Sequence, residues 1–317
     1  MVVYREASTL AKDLGVEAKT LYTLSNNLPA HYHTVSTPKA DGGVRRLTVP
    51  DEALKRVQRA IVKNILVYMP VSSCATAYRY GGGAVYNASL HTGQREVLRL
   101  DIRHFFDSVR YSAVKETVFP PEIFSEPLRI LLSMLCYYGD TLPQGAPTSP
   151  AIVNILLREF DRRIAAWCRK RRIVYSRYCD DLVFSGGRGL KAVRPAVEAE
   201  LRALGFFLHE KKTAFRPAGR RQTVTGLVVN EKVSVPAETR RAIRQAAHYC
   251  RRFGVESHLR RIGSPLSPER YLEQLLGRVS YVLQTAPDCA WATEVRQWIL
   301  EERRRRWGAG SRIKTER

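Results

Sequence analysis

One tight turn limits what this chain can fold into more than any other stretch. The residues Tyr178-Cys179-Asp180-Asp181 lie between two short runs rich in β-branched and aromatic side chains, at 173–177 and 182–185. This pattern predicts a strand, a turn and a second strand. The turn has two adjacent carboxylates and no Gly or Asn to take up a positive φ, so it is a poor choice for hairpin stability alone. Strain at such a turn is typical of places where chemistry needs it.

A second acidic stretch favours a reactive turn over a solvated acidic loop. At 98–107, Asp101 ends another apolar, strand-like run. Two unit negative charges about 4 Å apart repel by roughly 4 kcal/mol at an effective dielectric constant near 20, so three carboxylates at adjoining strand ends require cations. Hard oxygen ligands suit Mg²⁺, with Mn²⁺ as a substitute. Two such ions can activate an attacking oxygen and stabilise a leaving one in phosphoryl transfer.

Composition indicates the class of partner. The chain has 317 residues, 44% of them hydrophobic, which is enough for a substantial core and two or three subdomains. Its formal net charge is +22 and its pI is about 10.1, an excess of Lys and Arg that predicts a polyanionic partner. Because the sequence has no amphipathic anchor or lipidation motif, nucleic acid is favoured over an anionic membrane.

Three sequence features favour a cytoplasmic location without a membrane partner. No apolar run is long enough to predict a transmembrane helix. The first residues lack the basic-then-apolar order of a signal peptide. The cysteines are scattered, with no Cys-x-x-Cys or Cys/His cluster, so they predict reduced thiols rather than a zinc site: Cys74, Cys136, Cys168, Cys179, Cys250 and Cys289.

Two pairs of motifs carry a family resemblance. The aromatic-x-Asp-Asp turn, paired with the Asp-Ile-x-x-Phe-Phe string at 101–106, resembles the catalytic palm of reverse transcriptases. The Asn-Ala-x-x-His string at 87–91 and the Val-Thr-Gly string at 224–226 are similar to signatures of the bacterial retron type. The resemblance covers nearly the whole chain. One departure is Cys179, where the family usually has Ala.

The resemblance implies an α+β, right-hand polymerase fold. Fingers are expected at 1–100, with N-terminal helices and a basic hairpin. A palm, an antiparallel sheet backed by helices, is expected at 101–235, with an inserted fingers portion at about 110–145. A basic helical thumb is expected at 236–317. The helical spacing at 9–26 also fits a DNA-reading helix-turn-helix, but helices that pack on polymerase fingers are the favoured interpretation.

The resemblance also assigns the metal ligands and a nucleotide gate. Asp101, Asp180 and Asp181 are implied as catalytic residues that hold two Mg²⁺ ions, with the backbone carbonyl of Ile102 as a further ligand. Phe106 matches the family's steric gate, a rigid ring beneath the sugar that leaves no room for a 2′-hydroxyl and so favours dNTPs.

Several polar residues are implied to contact the incoming nucleotide. The stretch at 38–50 predicts a hairpin that turns at Asp41-Gly42, and in the family the basic residues of this hairpin clasp the triphosphate. Arg45 matches the family's arginine and Lys39 is a weaker candidate. Gln144 lies in a Leu-Pro-Gln-Gly-Ala-Pro string that resembles the nucleotide-contacting loop. Lys211 or Lys212 is implied near the leaving pyrophosphate, and the sequence leaves open which.

A further set is implied to bind nucleic acid. The string at 142–150 predicts a loop followed by one long helix, with Ser149 as N-cap and Pro150 at the first helical position. Its glycine is expected to let the backbone approach a base pair. The expected nucleic-acid-binding residues are Asn87, His91, Gly145, Tyr178, Val224, Thr225, Gly226, Arg240, Arg241 and Arg244.

The implied function is RNA-directed DNA synthesis on a cognate structured noncoding RNA. Priming from an RNA 2′-hydroxyl would give a branched RNA–DNA product, multicopy single-stranded DNA (msDNA), in the bacterial cytoplasm. Family members commonly serve in antiphage defence beside a separate effector protein. The alternatives are a group II intron-like, diversity-generating or template-independent defence polymerase, or a non-catalytic basic RNA-binding protein.

Overall fold

The computed structural model describes residues 2–38, 42–187 and 189–308. Short 3₁₀ turns lie at Leu66–Tyr68, Leu190–Ala192 and Glu210–Lys212, and a π-helical turn spans Val114–Val118. In chain order the α-helices are α1 (Ala7–Leu14), α2 (Ala18–Asn26), α3 (Leu28–His31), α4 (Glu52–Asn64), α5 (Ala84–Ser89), α6 (Tyr111–Ala113), α7 (Glu126–Cys136), α8 (Ser149–Leu156), α9 (Arg158–Arg169), α10 (Val193–Ala203), α11 (Ala237–Phe253), α12 (Val255–Arg261), α13 (Pro268–Thr285) and α14 (Ala290–Trp307).

The strands form a central antiparallel sheet and two hairpins. They are β1 (Tyr32–Pro38), β2 (Val44–Pro50), β3 (Glu96–Arg103), β4 (Val174–Tyr178), β5 (Asp181–Gly186), β6 (Phe207–Leu208), β7 (Ala214–Pro217), β8 (Thr223–Val224) and β9 (Leu227–Val228). The five-stranded sheet has the order β4-β5-β3-β6, with β7 also paired to β3. Strands β1 and β2 form one hairpin, and β8 and β9 form the other.

The central sheet is buried on both faces. Successive side chains of a strand point to opposite sides of the sheet, and apolar side chains of β3 and β5 are buried on each side. On β3, Leu98, Leu100 and Ile102 join the larger apolar core, together with Leu182 and Phe184 of β5. This face packs against α9, which contacts β4. On the opposite face, Val97 and Val183 join a second core made mainly by the C-terminal helices. The sheet therefore lies between two cores, as an antiparallel palm backed by helices requires.

The fingers surround the basic hairpin predicted from the sequence. Strands β1 and β2 pair antiparallel, with Thr37 opposite Arg45 and Pro38 opposite Val44. The proposed turn residue Asp41 and the candidate Lys39 lie outside the described residues. Helices α1 and α2 bury Leu10, Leu14, Leu21 and Leu24 in the larger core, and α2 contacts α7. The favoured interpretation of these helices, as packing elements, is consistent with this burial.

The C-terminal region is helical. Helix α13 packs along α14, and α11 contacts α12 and α13. Their apolar faces form the second core, which includes Ile243, Leu272, Val279 and Ile299. Within the described residues, no helix is both long enough and apolar enough to span a bilayer. The six cysteines, all of which are described, are free thiols, as the sequence predicted.

The prediction of one helix after the loop at 142–148 was wrong in two details. The helix is divided at Leu157, whose ψ of 5° separates α8 from α9. Ser149 is the first residue of α8 rather than its N-cap. Its hydroxyl donates to the carbonyl of Pro143 at 2.7 Å, so it closes the preceding loop instead of capping the helix.

Candidate active site

The acidic turn is a strained β-hairpin, as the sequence predicted. Tyr178 pairs with Asp181 in the β4–β5 register, which leaves Cys179 and Asp180 as the loop. Cys179 has a φ of 60°, in the left-handed region that two-residue hairpin turns usually reserve for Gly or Asn. A residue held in such a conformation costs on the order of 1–3 kcal/mol unless its surroundings enforce it. The turn therefore needs support from the groups around it.

The sheet brings the three predicted carboxylates together. Asp101 of β3 lies directly opposite Asp181 of β5. The backbone N–H of Ile102 donates to the carbonyl of Asp180 at 3.0 Å, which joins the acidic turn to the next strand. Asp101, Asp180 and Asp181 thus lie at one end of two neighbouring strands and the turn beside them.

Two cations of the chain neutralise two of these carboxylates. Lys212 Nζ lies 2.9 and 3.0 Å from the two oxygens of Asp101. Arg99 Nη2 donates to both oxygens of Asp181, at 2.8 and 3.2 Å. Among the described residues Asp180 forms no ion pair. The structure therefore distinguishes Lys212, whose ammonium contacts the acidic cluster, from Lys211, which forms no ion pair with these carboxylates among the described residues.

The electrostatics of the cluster favour a bound cation. Burial, followed by the charges of Asp101 and Asp181, raises the pKa of Asp180. Burial also raises the pKa of Asp181, although Arg99 opposes the shift. Within the described ranges, no three His, Cys, Asp or Glu side chains are grouped to hold a metal ion as they stand. Two of the carboxylates instead bind Lys212 and Arg99.

Arg99 is a site residue that sequence reasoning missed. It lies two residues before Asp101 on β3, so the two side chains share a face of the sheet. The alternation of side chains along a strand could have identified Arg99, because this alternation places its guanidinium on the same face as the candidate metal ligand Asp101.

The steric-gate candidate lies next to the loop expected to contact the nucleotide. Phe106 is half-buried in the turn after β3, with its ring 5.3 Å from that of Phe105. Its carbonyl accepts from the N–H of Leu142 at 3.2 Å, which fixes the start of the 142–145 loop beside it. Gln144 in this loop is exposed, as a residue that contacts a substrate must be.

The same loop is attached to the fingers hairpin. The N–H of Gly145 donates to the carbonyl of Thr48 on β2 at 3.0 Å. A Cβ at Gly145 would lie 2.7 Å from that carbonyl oxygen and 2.6 Å from Val49 Cγ2, so a side chain here is excluded by the protein itself. Its contact with a base pair stays a prediction. Arg45 lies on the same strand with its side chain exposed.

Asn87 and His91 were expected to bind nucleic acid, with His91 placing it or its loop; both side chains are completely buried, which corrects this expectation as far as contact with nucleic acid is concerned. The ring nitrogens of His91 lie 2.7 Å from the hydroxyls of Ser185 and Ser176, on the two strands of the acidic hairpin. Asn87 Oδ1 accepts from Ser176 at 2.6 Å and from Thr76 at 2.9 Å. The motif therefore ties α5 to the hairpin from inside.

The Val-Thr-Gly string is the turn region of the β8–β9 hairpin and packs on α5. Val224 is completely buried, so its assignment to nucleic-acid contact is also corrected. The Thr225 hydroxyl donates to the carbonyl of Ala84, at the start of α5, at 2.8 Å. Gly226 is exposed, with a φ of 80°. The segments that carry the two motifs are therefore one packed unit.

The other nucleic-acid candidates keep accessible surface. Tyr178 is half-buried at the end of β4. Arg241 and Arg244 are exposed on α11, and Arg240 is half-buried there. The guanidinium of Arg244 stacks on Trp291 of α14, 5.4 Å from the ring centroid. Their contact with nucleic acid stays a prediction.

The buried position of His91 predicts a pH-dependent stability. Burial lowers the pKa of His91 to about 4, whereas an unfolded chain binds this proton near pH 6.5. The unfolded state therefore holds more protons between these values, and stability falls as the pH decreases through that window. We expect this residue to account for a loss of up to about 3 kcal/mol between pH 6.5 and 4.

Denaturant unfolding at several pH values measures this loss. The variant His91→Gln, which keeps hydrogen-bonding groups but does not titrate, should show a shallower acid slope than the wild type. The matched control is His104→Gln, because His104 is exposed. Equal acid slopes for wild type and His91→Gln would contradict the assignment.

Comparison with known proteins identifies the family. Residues 37–232 match the model of the family described as reverse transcriptase (RNA-dependent DNA polymerase). Two similar proteins are the retron Mx65 and Mx162 reverse transcriptases of Myxococcus xanthus. They are 33% and 32% identical over 81% and 89% of this chain, which spans 66% and 64% of their lengths.

A third relative comes from another organism. The retron Ec86 reverse transcriptase of Escherichia coli is 28% identical over 79% of both chains. The matched segment contains Asp101, Asp180 and Asp181, the residues that the sheet brings together. The chain belongs to the reverse transcriptase family, and its relatives there are retron enzymes.

Proposed function

We propose that this chain is an RNA-directed DNA polymerase of the retron type. The observation that carries the proposal is the meeting of Asp101, Asp180 and Asp181 at one end of the central sheet. Such a cluster is costly without cations and is suited to nucleotidyl transfer, in which negative charge develops on phosphoryl oxygens. Exposed basic residues on the fingers hairpin and thumb fit a nucleic-acid substrate.

The donor set fits Mg²⁺, with Mn²⁺ as a substitute. Asp101, Asp180 and Asp181 would hold two ions, with the carbonyl of Ile102 as a further oxygen ligand. When bound, the metal supplies Lewis-acid stabilisation and activation of the attacking oxygen. The bonds of Lys212 and Arg99 to Asp101 and Asp181 support this assignment, because they show that these carboxylates accept cations.

The residues around the cluster have distinct proposed roles. Phe106 limits the space below the sugar and selects dNTPs. Gln144 and Arg45 bind the nucleotide, and Lys212 neutralises the departing pyrophosphate or donates a proton to it. Lys212 is favoured over Lys211 because its ammonium already lies within 3.0 Å of Asp101.

The template is proposed to be the chain's own structured noncoding RNA. The α5–β8–β9 unit, which carries both retron-like motifs, supports this subtype. Synthesis from an RNA 2′-hydroxyl would give msDNA in the bacterial cytoplasm, with a role in antiphage defence beside a separate effector protein. The net charge of +22 is consistent with an RNA partner.

The two adjacent lysines give a matched test of the proposed chemistry. We expect Lys212→Ala to lower kcat for nucleotide addition by about 10²-fold, the usual contribution of a positioned proton donor. Lys211→Ala should stay close to the wild type, because only Lys212 pairs with Asp101 among the described residues, although both lysines are exposed. Single-turnover dNTP incorporation on a supplied primer and template measures both. Equal losses in the two variants would contradict the assignment.

The subtype is tested in cells. The gene is expressed with its flanking DNA, and small nucleic acids are extracted from the wild type and from an Asp180→Ala, Asp181→Ala double variant. A discrete single-stranded DNA attached to RNase-sensitive RNA, absent from the variant, is the expected result. Polymerisation on a supplied template without such a product would support the polymerase activity and reject the retron function.

A further inference from the structure

A completely buried arginine lies directly behind the catalytic turn. Arg177, on β4, has no exposed surface. Its guanidinium binds Asp161 of α9, with Nη2 to Oδ2 at 2.7 Å and Nε to Oδ1 at 3.0 Å. Its Nη1 donates to Asn154 Oδ1 at 3.1 Å and to the carbonyl of Cys179 at 3.2 Å. The last contact reaches the residue whose φ is positive.

The partners of Arg177 are themselves held. The hydroxyl of Tyr175 donates to Asp161 Oδ1 at 2.7 Å. Asn154 of α8 donates to the carbonyl of Ala77 at 2.9 Å. The backbone N–H of Arg177 donates to the carbonyl of Cys74 at 2.8 Å. The guanidinium is therefore fixed by two helices and by its own strand, on the sheet face opposite to the carboxylates.

Stability alone gives a poor account of this ion pair. Two charges taken out of water cost several kcal/mol each in solvation, and replacing such a pair by apolar residues of similar volume is often neutral or stabilising. Arg177 and Asp161 are both completely buried, so the full cost applies. The contact with Cys179 offers a different reason, because the strained peptide requires an external restraint.

We propose that Arg177 is a positioning residue for the catalytic turn, with Asp161 and Asn154 orienting its guanidinium. The carbonyl of Cys179 and the N–H of Asp180 belong to one planar peptide group. A donor that holds this carbonyl therefore sets the direction in which the chain enters Asp180. This inference rests on the proposed polymerase function, since positioning matters only where the carboxylates act.

The test removes the charges without leaving one of them unpaired. Arg177→Ala alone would strand Asp161 in the interior and unfold the chain. The informative variant combines Arg177→Met, Asp161→Val and Tyr175→Phe, which replaces the ion pair and the hydroxyl bound to it by apolar groups and leaves Asn154 in place. A matched control is Arg129→Met, which removes another buried arginine, bound to Glu116 and Glu126 away from the turn.

We expect the triple variant to keep a melting temperature close to that of the wild type and to lose about 10²-fold in kcat, as a small displacement of catalytic groups does. The KM for dNTP and the affinity for RNA should change by less than about threefold, because these contacts lie elsewhere. Arg129→Met should keep its kcat at temperatures where it is folded. A folded triple variant with wild-type kcat would overturn the proposal.

Crystal structures of the wild type and the triple variant provide a readout that does not depend on turnover. The expected result is a rotated Cys179 peptide and a displaced Asp180 carboxylate. An unchanged turn in the variant would overturn the proposal even if the wild type does not polymerise. A wild type without polymerase activity, combined with a displaced turn in the variant, would instead reject the proposed function and leave the positioning role supported.

Discussion

Asp180→Asn is expected to abolish nucleotide addition while leaving the fold at least as stable as the wild type. Asn has nearly the same shape as Asp, so the turn can keep the hydrogen bond from the N–H of Ile102 to the backbone carbonyl of residue 180. What it loses is the charge that the proposed metal needs. Stabilisation of this kind contributes several kcal/mol, so we expect a loss of at least about 10³-fold in kcat.

Asp180→Asn is expected to lower activity without lowering stability, and the reason lies in the environment of this carboxylate. Burial and the charges of Asp101 and Asp181 raise the pKa of Asp180, so its ionised form is unfavourable in the folded chain without a metal. A neutral Asn relieves this repulsion. Thermal unfolding in the presence of a chelator should therefore give an equal or higher melting temperature for the variant.

A neighbouring carboxylate supplies the control. Asp107 is exposed after β3 and lies 3.6 Å from His104, outside the acidic cluster. Asp107→Asn should retain wild-type kcat in the same primer-extension assay. If Asp180→Asn extends primers as fast as Asp107→Asn does, the carboxylate cluster is not the catalytic centre, and a non-catalytic RNA-binding protein becomes the better interpretation.

Local pattern and strand pairing account for the part of the site that could be predicted. The two runs around Asp180 are rich in β-branched and aromatic residues, as strands are, and a turn between them must place the acidic pair at the end of the hairpin. Asp101 was expected to end a strand; it lies two residues before the end of β3, and the structure places it opposite Asp181. The basic hairpin was predictable for the same reason, since it depends on residues close in sequence.

The errors concern contacts between distant segments. The string at 87–91 shows polar residues, but nothing in it shows that Ser176 and Ser185 would cover both nitrogens of His91. Nor does the string at 142–150 show that Thr48 and Val49 would lie against Gly145, whose contact with a base pair stays a prediction. A motif indicates which side chains a fold needs without stating whether they face a ligand or the interior.

The network behind the turn shows the same limit. Arg177 could not be distinguished from a surface arginine by its position in a strand, because half the residues of a strand face each side. Its burial depends on Asp161, which lies on a helix. Only the packed structure pairs the two.

Phe106→Val is expected to admit ribonucleotides while preserving synthesis with dNTPs. The ring is half-buried beside Phe105, and the backbone of Phe106 is held by a hydrogen bond from the N–H of Leu142 to its carbonyl. A rigid wall of this kind discriminates by excluding one hydroxyl. A pocket that gains or loses space for one small group changes selectivity by about 10- to 200-fold, so we expect the dNTP/rNTP ratio of kcat/KM to fall by about 10²-fold.

The control must remove an aromatic ring from the same region without altering the pocket. Phe207 on β6 serves this purpose, because it is exposed and pairs with Arg103, two residues after Asp101. Competing dNTP and rNTP incorporation opposite one template base measures the ratio for the wild type, Phe106→Val and Phe207→Val. A ratio that falls equally in both variants, or in neither, would show that another group excludes the 2′-hydroxyl. A fall confined to Phe106→Val would place the sugar of the incoming nucleotide against this ring, and therefore next to Asp101.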